Sequence, residues 1–154
     1  MLPELGALLE LQRYDVRLSE AQRKRDDIPS RKEVLREAVA TAKIEHDRLK
    51  KELEAARLAR RTQEKDVESI QAEAAKLERK LLDVKSNKEY TAMLHEIELA
   101  KTKRSERETL ILECFEREEG LARDLKAVEQ RVAAEEQRLK QGESDLDKEA
   151  AALD

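Results

Sequence analysis

The sequence predicts an all-α protein that forms a long antiparallel coiled-coil hairpin. Five helix-favouring residue types (Ala, Glu, Lys, Arg and Leu) supply 100 of the 154 positions, well above the roughly one half that is typical of coiled coils and long helices. Apolar residues recur with a seven-residue pattern in two long stretches. A short segment between these stretches carries the residues that begin a new helix, so the chain is expected to fold back there.

The first stretch carries an apolar seam without a slip. Alternating steps of four and three residues visit fifteen positions, of which twelve are apolar. These positions are Leu35, Val39, Ala42, His46, Leu49, Leu53, Ala56, Arg60, Gln63, Val67, Ile70, Ala74, Leu77, Leu81 and Val84. Such spacing predicts a helix that supercoils around a partner. A helix from Ser30 to Val84 would be about 80 Å long.

A break is predicted before this helix, at Ile28 and Pro29. Proline lacks a backbone donor and moves the preceding residue out of the α region. Ser30 followed by Glu33 then fits a capping box. We therefore predict an N-terminal helix over residues 1–28 and a first long arm over residues 30–84.

The turn of the hairpin is predicted where the first seam stops. Ser86 and Glu89 have the spacing of a second capping box, in which the hydroxyl accepts from the Glu89 amide and the carboxylate reaches back to the Ser86 amide. The prediction is a tip turn over residues 85–87 and a return arm over residues 88–154.

The return arm has a weaker seam. Ten positions spaced by seven, from Tyr90 to Leu153, include eight apolar residues. Two registers are open for the alternate seam positions. One register uses Met93, Ala100, Cys114, Leu121 and Val128, and the other uses Leu94, Phe115 and Ala122. Arg104, in a stretch almost without apolar residues, is expected to face Gln63 or Glu68.

A bend near Pro29 and Gly142 is predicted from their distances to the turn. Pro29 precedes Ser86 by 57 residues, and Gly142 follows it by 56. If the chain folds back at Ser86, both arms are weakened at the same height. The segment Leu5–Arg25 would then pair with the chain that follows Gly142.

The composition argues against an enzyme. One Phe and two Tyr cannot fill a broad globular core, and the three glycines stand apart, so there is no phosphate-binding loop. His46 and His95 lack a nucleophile at a useful spacing. His95 and Cys114 are too far apart on one helix to share a metal. We expect no catalytic residue, no metal site and no small-molecule substrate.

The sequence also bears on the cellular compartment of the protein and on its attraction to nucleic acid. No apolar stretch approaches the roughly 20 residues that a membrane helix needs, and the single cysteine suits a reducing compartment, so we expect a cytoplasmic protein. The net charge is −4, which gives no bulk attraction to nucleic acid. Basic clusters at residues 23–25, 57–61 and 101–107 are each bracketed by acids.

Three segments resemble the bacterial C4-type zinc-ribbon family. They are LLELQRYD (Leu8–Asp15), the Ile28-Pro29 break and VKSNKEYTAMLHEIE (Val84–Glu98). The resemblance implies a long, often hooked, coiled-coil hairpin followed by a four-cysteine zinc ribbon. It also implies binding to the alternative sigma factor that drives flagellar or secretion genes, and contact with messenger RNA. No CxxC pair occurs in this sequence, so no cofactor is expected here, and zinc is expected only if a ribbon follows Asp154.

The tip is the predicted partner-binding site, since a long hairpin can carry its end into a distant pocket. The candidate residues are Lys85, Ser86, Asn87, Lys88, Glu89, Tyr90, Leu94 and Glu96. For Ser86, Glu89 and Tyr90 a structural role, as helix caps and as the last core layer, explains the sequence at least as well as binding does, whereas Asn87 and Lys88 have no such role. We predict a non-enzymatic adaptor for a protein partner, with a transcription component favoured by the resemblance. An RNA-binding adaptor, a self-assembling spacer (a homo-oligomer) and a chaperone-like clamp remain as alternatives.

Overall fold

The computed structural model describes residues 2–153, which form two long helices. Helix α1 spans Leu2–Leu81 and helix α2 spans Asn87–Leu153. Residues 82–86 connect them, and the described residues contain no strand. The prediction of an all-α coiled-coil hairpin is confirmed. No helix among residues 2–153 is both long enough and apolar enough to cross a bilayer.

The chain divides into two compact units, each made from both helices. The terminal unit contains the chain up to His46 and the chain from Ala127 onward. The tip unit is Asp47–Lys126 and includes the connection between the helices.

The predicted seam of α1 is the buried side of the helix. All fifteen positions from Leu35 to Val84 are buried or half-buried. Val39 and Ala42 are buried in the terminal unit, and Leu49, Leu53 and Ala56 are buried in the tip unit. The alternating step of four and three therefore identifies the face of α1 that packs on α2.

The structure decides between the two registers of α2. The residues of the first register are buried or half-buried, namely Met93, Ala100, Cys114, Leu121 and Val128. Leu94, Phe115 and Ala122, from the second register, are exposed. The burial of Ile97 and Leu146 in the seven-residue column agrees with the first register.

Four ion pairs across the helices of the terminal unit have the same polarity. In each of them the cation belongs to α1 and the carboxylate to α2. These pairs are Arg31–Glu149 (3.2 Å), Lys32–Asp147, Arg36–Glu143 (2.9 Å) and Lys43–Glu136 (3.3 Å). Each is partly exposed and so contributes little energy. Together they favour the pairing of α1 with α2 over the pairing of like arms.

A polar layer interrupts the seam of the tip unit. The guanidinium of Arg60 donates from Nε to both carboxylate oxygens of Glu118, at 2.9 and 3.1 Å, and from Nη1 to Glu64 at 2.9 Å. It also lies 4.7 Å from the centre of the Phe115 ring, within cation–π range. The hydrogen bonds to Glu118 and Glu64 raise the pKa of Arg60 above its ordinary value.

The predicted contact of Arg104 is wrong. Arg104 pairs along its own helix with Glu108 at 3.0 Å. Arg107 instead donates to Gln63 at 3.1 Å. The seven-residue column predicted that Arg104 faces α1. The half-buried residue is instead Arg107, at the alternate seam position three residues later.

The predicted break at Ile28 and Pro29 is not present, because α1 continues through Pro29 and Ser30 lies inside it. A proline inside a helix removes one backbone hydrogen bond. Ile28 is only 6% exposed, and Arg31 and Lys32 pair with α2 just beyond it, so packing holds these turns helical. A change of helix direction near Pro29 or Gly142 stays a prediction.

The predicted matching of Pro29 with Gly142 is also wrong. A Cβ atom at Gly142 would lie 2.5 Å from Cδ1 of Leu35, so this glycine faces Leu35. Arg31 and Lys32 take partners after Gly142, whereas the apolar residues of Leu5–Leu18 are exposed. Counting from Ser86 misplaced the register because seam packing, and not the distance from the turn, decides which residues meet.

Replacing Leu49 with alanine should test the seam. Leu49 is 4% exposed, and we expect Leu49→Ala to lower the free energy of unfolding by about 2–5 kcal/mol because it removes buried methyl groups and leaves a cavity. Leu58, which is 63% exposed, is the matched control, and Leu58→Ala should stay within about 0.5 kcal/mol. Urea unfolding followed by circular dichroism measures the free energy of unfolding of both variants. Equal effects of the two substitutions would contradict the assignment of Leu49 to the buried seam.

A double substitution should test the polar layer. Glu118→Leu leaves the half-buried guanidinium of Arg60 without its main acceptor, so we expect a lower melting temperature. Arg60→Leu/Glu118→Leu replaces the pair with an apolar layer, and the melting temperature should recover to the wild-type value or above. A double variant less stable than Glu118→Leu would show that the ion pair itself stabilises the hairpin.

Candidate functional site

The tip turn begins with a tightened end of α1. The amide of Leu82 donates to the Arg79 carbonyl at 3.2 Å, and the amide of Asp83 donates to the Lys80 carbonyl at 3.1 Å. Such bonds between residues three apart satisfy carbonyls that a helix end leaves open. The turn therefore occupies residues 82–86. It begins three residues before the predicted turn, which was 85–87.

Ser86 caps α2 in the predicted way. The Glu89 amide donates to Oγ of Ser86 at 3.2 Å, and the Tyr90 amide donates to the Ser86 carbonyl at 3.0 Å. The Thr91 hydroxyl donates to the Asn87 carbonyl at 2.9 Å. These bonds fix the first turn of α2, and the reciprocal contact of the Glu89 carboxylate stays a prediction.

Apolar side chains are exposed at this end of the tip unit. Leu82 is 86% exposed, Tyr90 46% and Leu94 43%. Tyr90 was expected to close the last core layer, and this is wrong: Val84, which is half-buried in the turn, is the inward-facing residue. Tyr90 and Leu94 are one helical turn apart and so lie on the same face of α2.

Cations accompany these apolar residues. Arg79 and Lys80 are in the last turn of α1, and Lys85 and Lys88 are exposed at the turn and in the first turn of α2. The N-terminus of α2 carries the positive end of the helix dipole. The tip therefore exposes apolar side chains and cations, and the carboxylates of Asp83 and Glu89 are exposed there too.

The structure separates Glu96 from the other candidate residues. Lys85, Ser86, Asn87, Lys88 and Glu89 are all exposed at the turn or in the first turn of α2. Glu96 instead lines a shallow groove between the helices. The other lining residues are Ile70, Glu73, Leu77, Leu99, Ala100 and Lys103. We define the tip surface as Leu82, Lys85, Asn87, Lys88, Tyr90 and Leu94.

Leu82 is the residue of this surface that the sequence analysis missed. A signal was present, because Leu81 occupies a seam position and its neighbour Leu82 cannot share that face of the helix. An apolar residue next to the last seam leucine, just before a capping box, is exposed whether or not the turn starts early. Residue 82 could have been included for that reason.

The remaining chemistry-bearing side chains are dispersed. Residues 2–153 contain no group of three or more His, Cys, Asp or Glu side chains that could hold a metal ion. His46 lies on the seam, with Nε2 3.5 Å from a carboxylate oxygen of Glu129. His95 is exposed and Cys114 is half-buried.

Comparison with known proteins gives a family. A family model described as the CT398-like coiled coil hairpin domain matches residues 11–154. No curated protein and no solved structure gives a significant match.

Loss of the cap should destabilise the tip. Ser86→Ala removes the acceptor of the Glu89 amide, and we expect the free energy of unfolding to fall by about 0.5–2 kcal/mol. Ser105, exposed in the middle of α2, is the matched control, since Ser105→Ala should be neutral or slightly stabilising. Thermal unfolding of both variants provides the measurement. Equal melting temperatures would mean that the cap contributes nothing.

Proposed function

The chain belongs to the family of CT398-like coiled coil hairpin domains, and we propose that it binds a protein partner through its tip surface as a non-enzymatic adaptor. A coiled-coil hairpin is typically a structural or interaction fold rather than a catalytic one. The two helices of residues 2–153 pair along a narrow seam and enclose no deep cleft that would shield a substrate from water.

The observation that carries the proposal is the exposure of Leu82. A leucine that is 86% exposed at a turn buries little of its side chain within the hairpin. Its burial against a partner would stabilise a complex by an amount on the order of 1–3 kcal/mol. Tyr90 and Leu94 extend the apolar area, and aromatic residues are enriched among the residues that dominate interface energies. Lys85 and Lys88 would steer an acidic partner towards this area.

For the partner, we propose a component of the transcription machinery, specifically an alternative sigma factor. The support is the resemblance of Val84–Glu98 to the C4-type zinc-ribbon family, together with the apolar and cationic character of the tip surface. The residues proposed to contact the sigma factor all lie in the hairpin, so the contact requires no zinc ribbon.

A tip variant should separate binding from folding. Leu82→Asp/Lys88→Glu removes an apolar and a cationic contact but keeps Ser86 and Glu89, so α2 still begins at Asn87. We expect at least a tenfold loss of affinity for the purified alternative sigma factor of the same organism, on the order of the loss of one interface anchor. Biolayer interferometry measures the affinity.

Leu112→Asp is the matched control, because Leu112 is 65% exposed in the middle of α2 and lies outside the tip surface. This variant should bind as the wild type does. If both variants bind equally well, or if the wild type does not bind the sigma factor at all, the proposed partner or its site is wrong.

A pull-down from native lysate tests the alternatives. A protein captured by the wild type and by Leu112→Asp, but lost with the tip variant and retained after RNase treatment, supports the adaptor. Capture that disappears with RNase supports an RNA-binding adaptor, whose affinity should also fall steeply with salt. Recovery of the chain alone supports a self-assembling spacer, and capture of unfolded chains supports a clamp.

A further inference from the structure

The buried residues of the tip unit are concentrated in the part that lies far from the turn. The polar layer of Arg60 and Glu118 divides this unit in two. We call residues 61–117, on the side of the turn, the distal segment, and residues 47–60 and 118–126 the base. The base contains four buried apolar residues, namely Leu49, Leu53, Ala56 and Leu121.

Only one residue is buried in the distal segment, every residue of which the structure describes. It is Ile97, which is 5% exposed. Between Ile97 and Ile111 the seam of α2 carries no large apolar residue. Its positions there are Ala100, Arg104 and Arg107. Because the burial of apolar side chains favours helix pairing, this stretch of α2 gives the pairing little support.

The seam of α1 is partly open in the same part of the hairpin. Ile70 and Leu77 lie on this seam but are only half-buried. Together with Ala100 they line the shallow groove between the helices. The apolar packing that holds the helices together is therefore weaker in the distal segment than in the base.

Polar contacts mark the boundary between the two parts. Arg60 donates to Glu118 at 2.9 Å, and Arg107 donates to Gln63 at 3.1 Å, both across the helices. Both contacts are only partly buried, and such polar pairs add little net stability. They therefore do not tie the apolar packing of the distal segment to that of the base.

We propose that the distal segment opens and closes as one cooperative unit while the base stays paired. Proteins open locally in contiguous cooperative units, and units with few buried apolar contacts open most readily. In the open state the two helices of the distal segment separate as far as the polar layer. The four buried residues of the base keep their contacts in both states.

The opening would regulate the tip surface, which lies within the distal segment. Leu82 follows the last residue of α1, whereas Tyr90 and Leu94 belong to α2. A partner that contacts all three as they are placed in the closed hairpin would bind the closed state in preference and raise its population. This consequence rests on the proposed function, whereas the opening itself is measured without any partner.

Hydrogen–deuterium exchange of the full chain, measured by mass spectrometry of peptic peptides, tests the proposal. At neutral pH, and after correction for the intrinsic rate of each peptide, peptides of the distal segment should exchange about tenfold faster or more than peptides of the base. The rate should change in one step at the polar layer. Equal rates in the two parts overturn the proposal. So does a rate that rises smoothly towards the turn, because it indicates fraying.

Leu53→Val separates local opening from unfolding of the whole hairpin. Leu53 is 5% exposed and lies in the base, which stays paired whether the distal segment is open or closed. Exchange of the base should become about fivefold faster, and exchange of the distal segment should stay within about twofold of the wild type. If exchange of both parts increases alike, the hairpin opens only as a whole and the proposal is wrong.

Arg107→Leu supplies the large apolar residue that the seam of α2 lacks between Ile97 and Ile111. It should favour the closed state and slow exchange of the distal segment by about tenfold. Arg117→Leu is the matched control, since it makes the same change at an exposed position of the distal segment and should leave the exchange unchanged. No effect of Arg107→Leu, or an equal effect of the two substitutions, would mean that the gap in the seam does not cause the opening and overturns the proposal.

Discussion

The packing of one narrow apolar seam of α1 against α2 is the interaction on which the structure depends. With 44% charged and 2% aromatic residues, the chain has no other large source of apolar burial. In both units the seam residues from Leu35 onwards are buried or half-buried, and most other residues of α1 in this stretch are exposed. Because most helical stability in proteins comes from the packing of an apolar face, the contact between α1 and α2 stabilises both helices.

Polar residues give the seam its specificity. The Arg60–Glu118 pair in the tip unit is partly desolvated, with side chains 21% and 12% exposed. Breaking such a pair is costly although the pair itself adds little stability, so it discriminates against registers that separate its members. In the terminal unit the cations of α1 face the carboxylates of α2, which disfavours the pairing of two like helices.

The sequence predicted the architecture because the apolar residues of a heptad pattern are the residues that become buried between two helices. The seam of α1, one of two registers for α2 and the Ser86 cap all agree with the structure. The failures concern tertiary context. Pro29 was expected to break α1, but packing of Ile28 holds the helix, and Gly142 meets Leu35 because register follows seam packing. At the tip, Lys85 and Lys88 are exposed and their role in binding stays a prediction. Tyr90 was misplaced because the turn begins at Leu82 and Val84 fills the inner position.

The same seam could also be closed by exchange of α2 between two chains, so the most direct measurement is a distance within one chain. Spin labels at Lys43→Cys and Glu136→Cys, with Cys114→Ala, report on helices that should lie about 10 Å apart. Electron paramagnetic resonance should give a short distance between the two spin labels, and this distance should persist after dilution with excess unlabelled protein. Loss of the short distance on dilution would mean exchanged arms. Absence of a short distance before dilution would contradict the register of the hairpin.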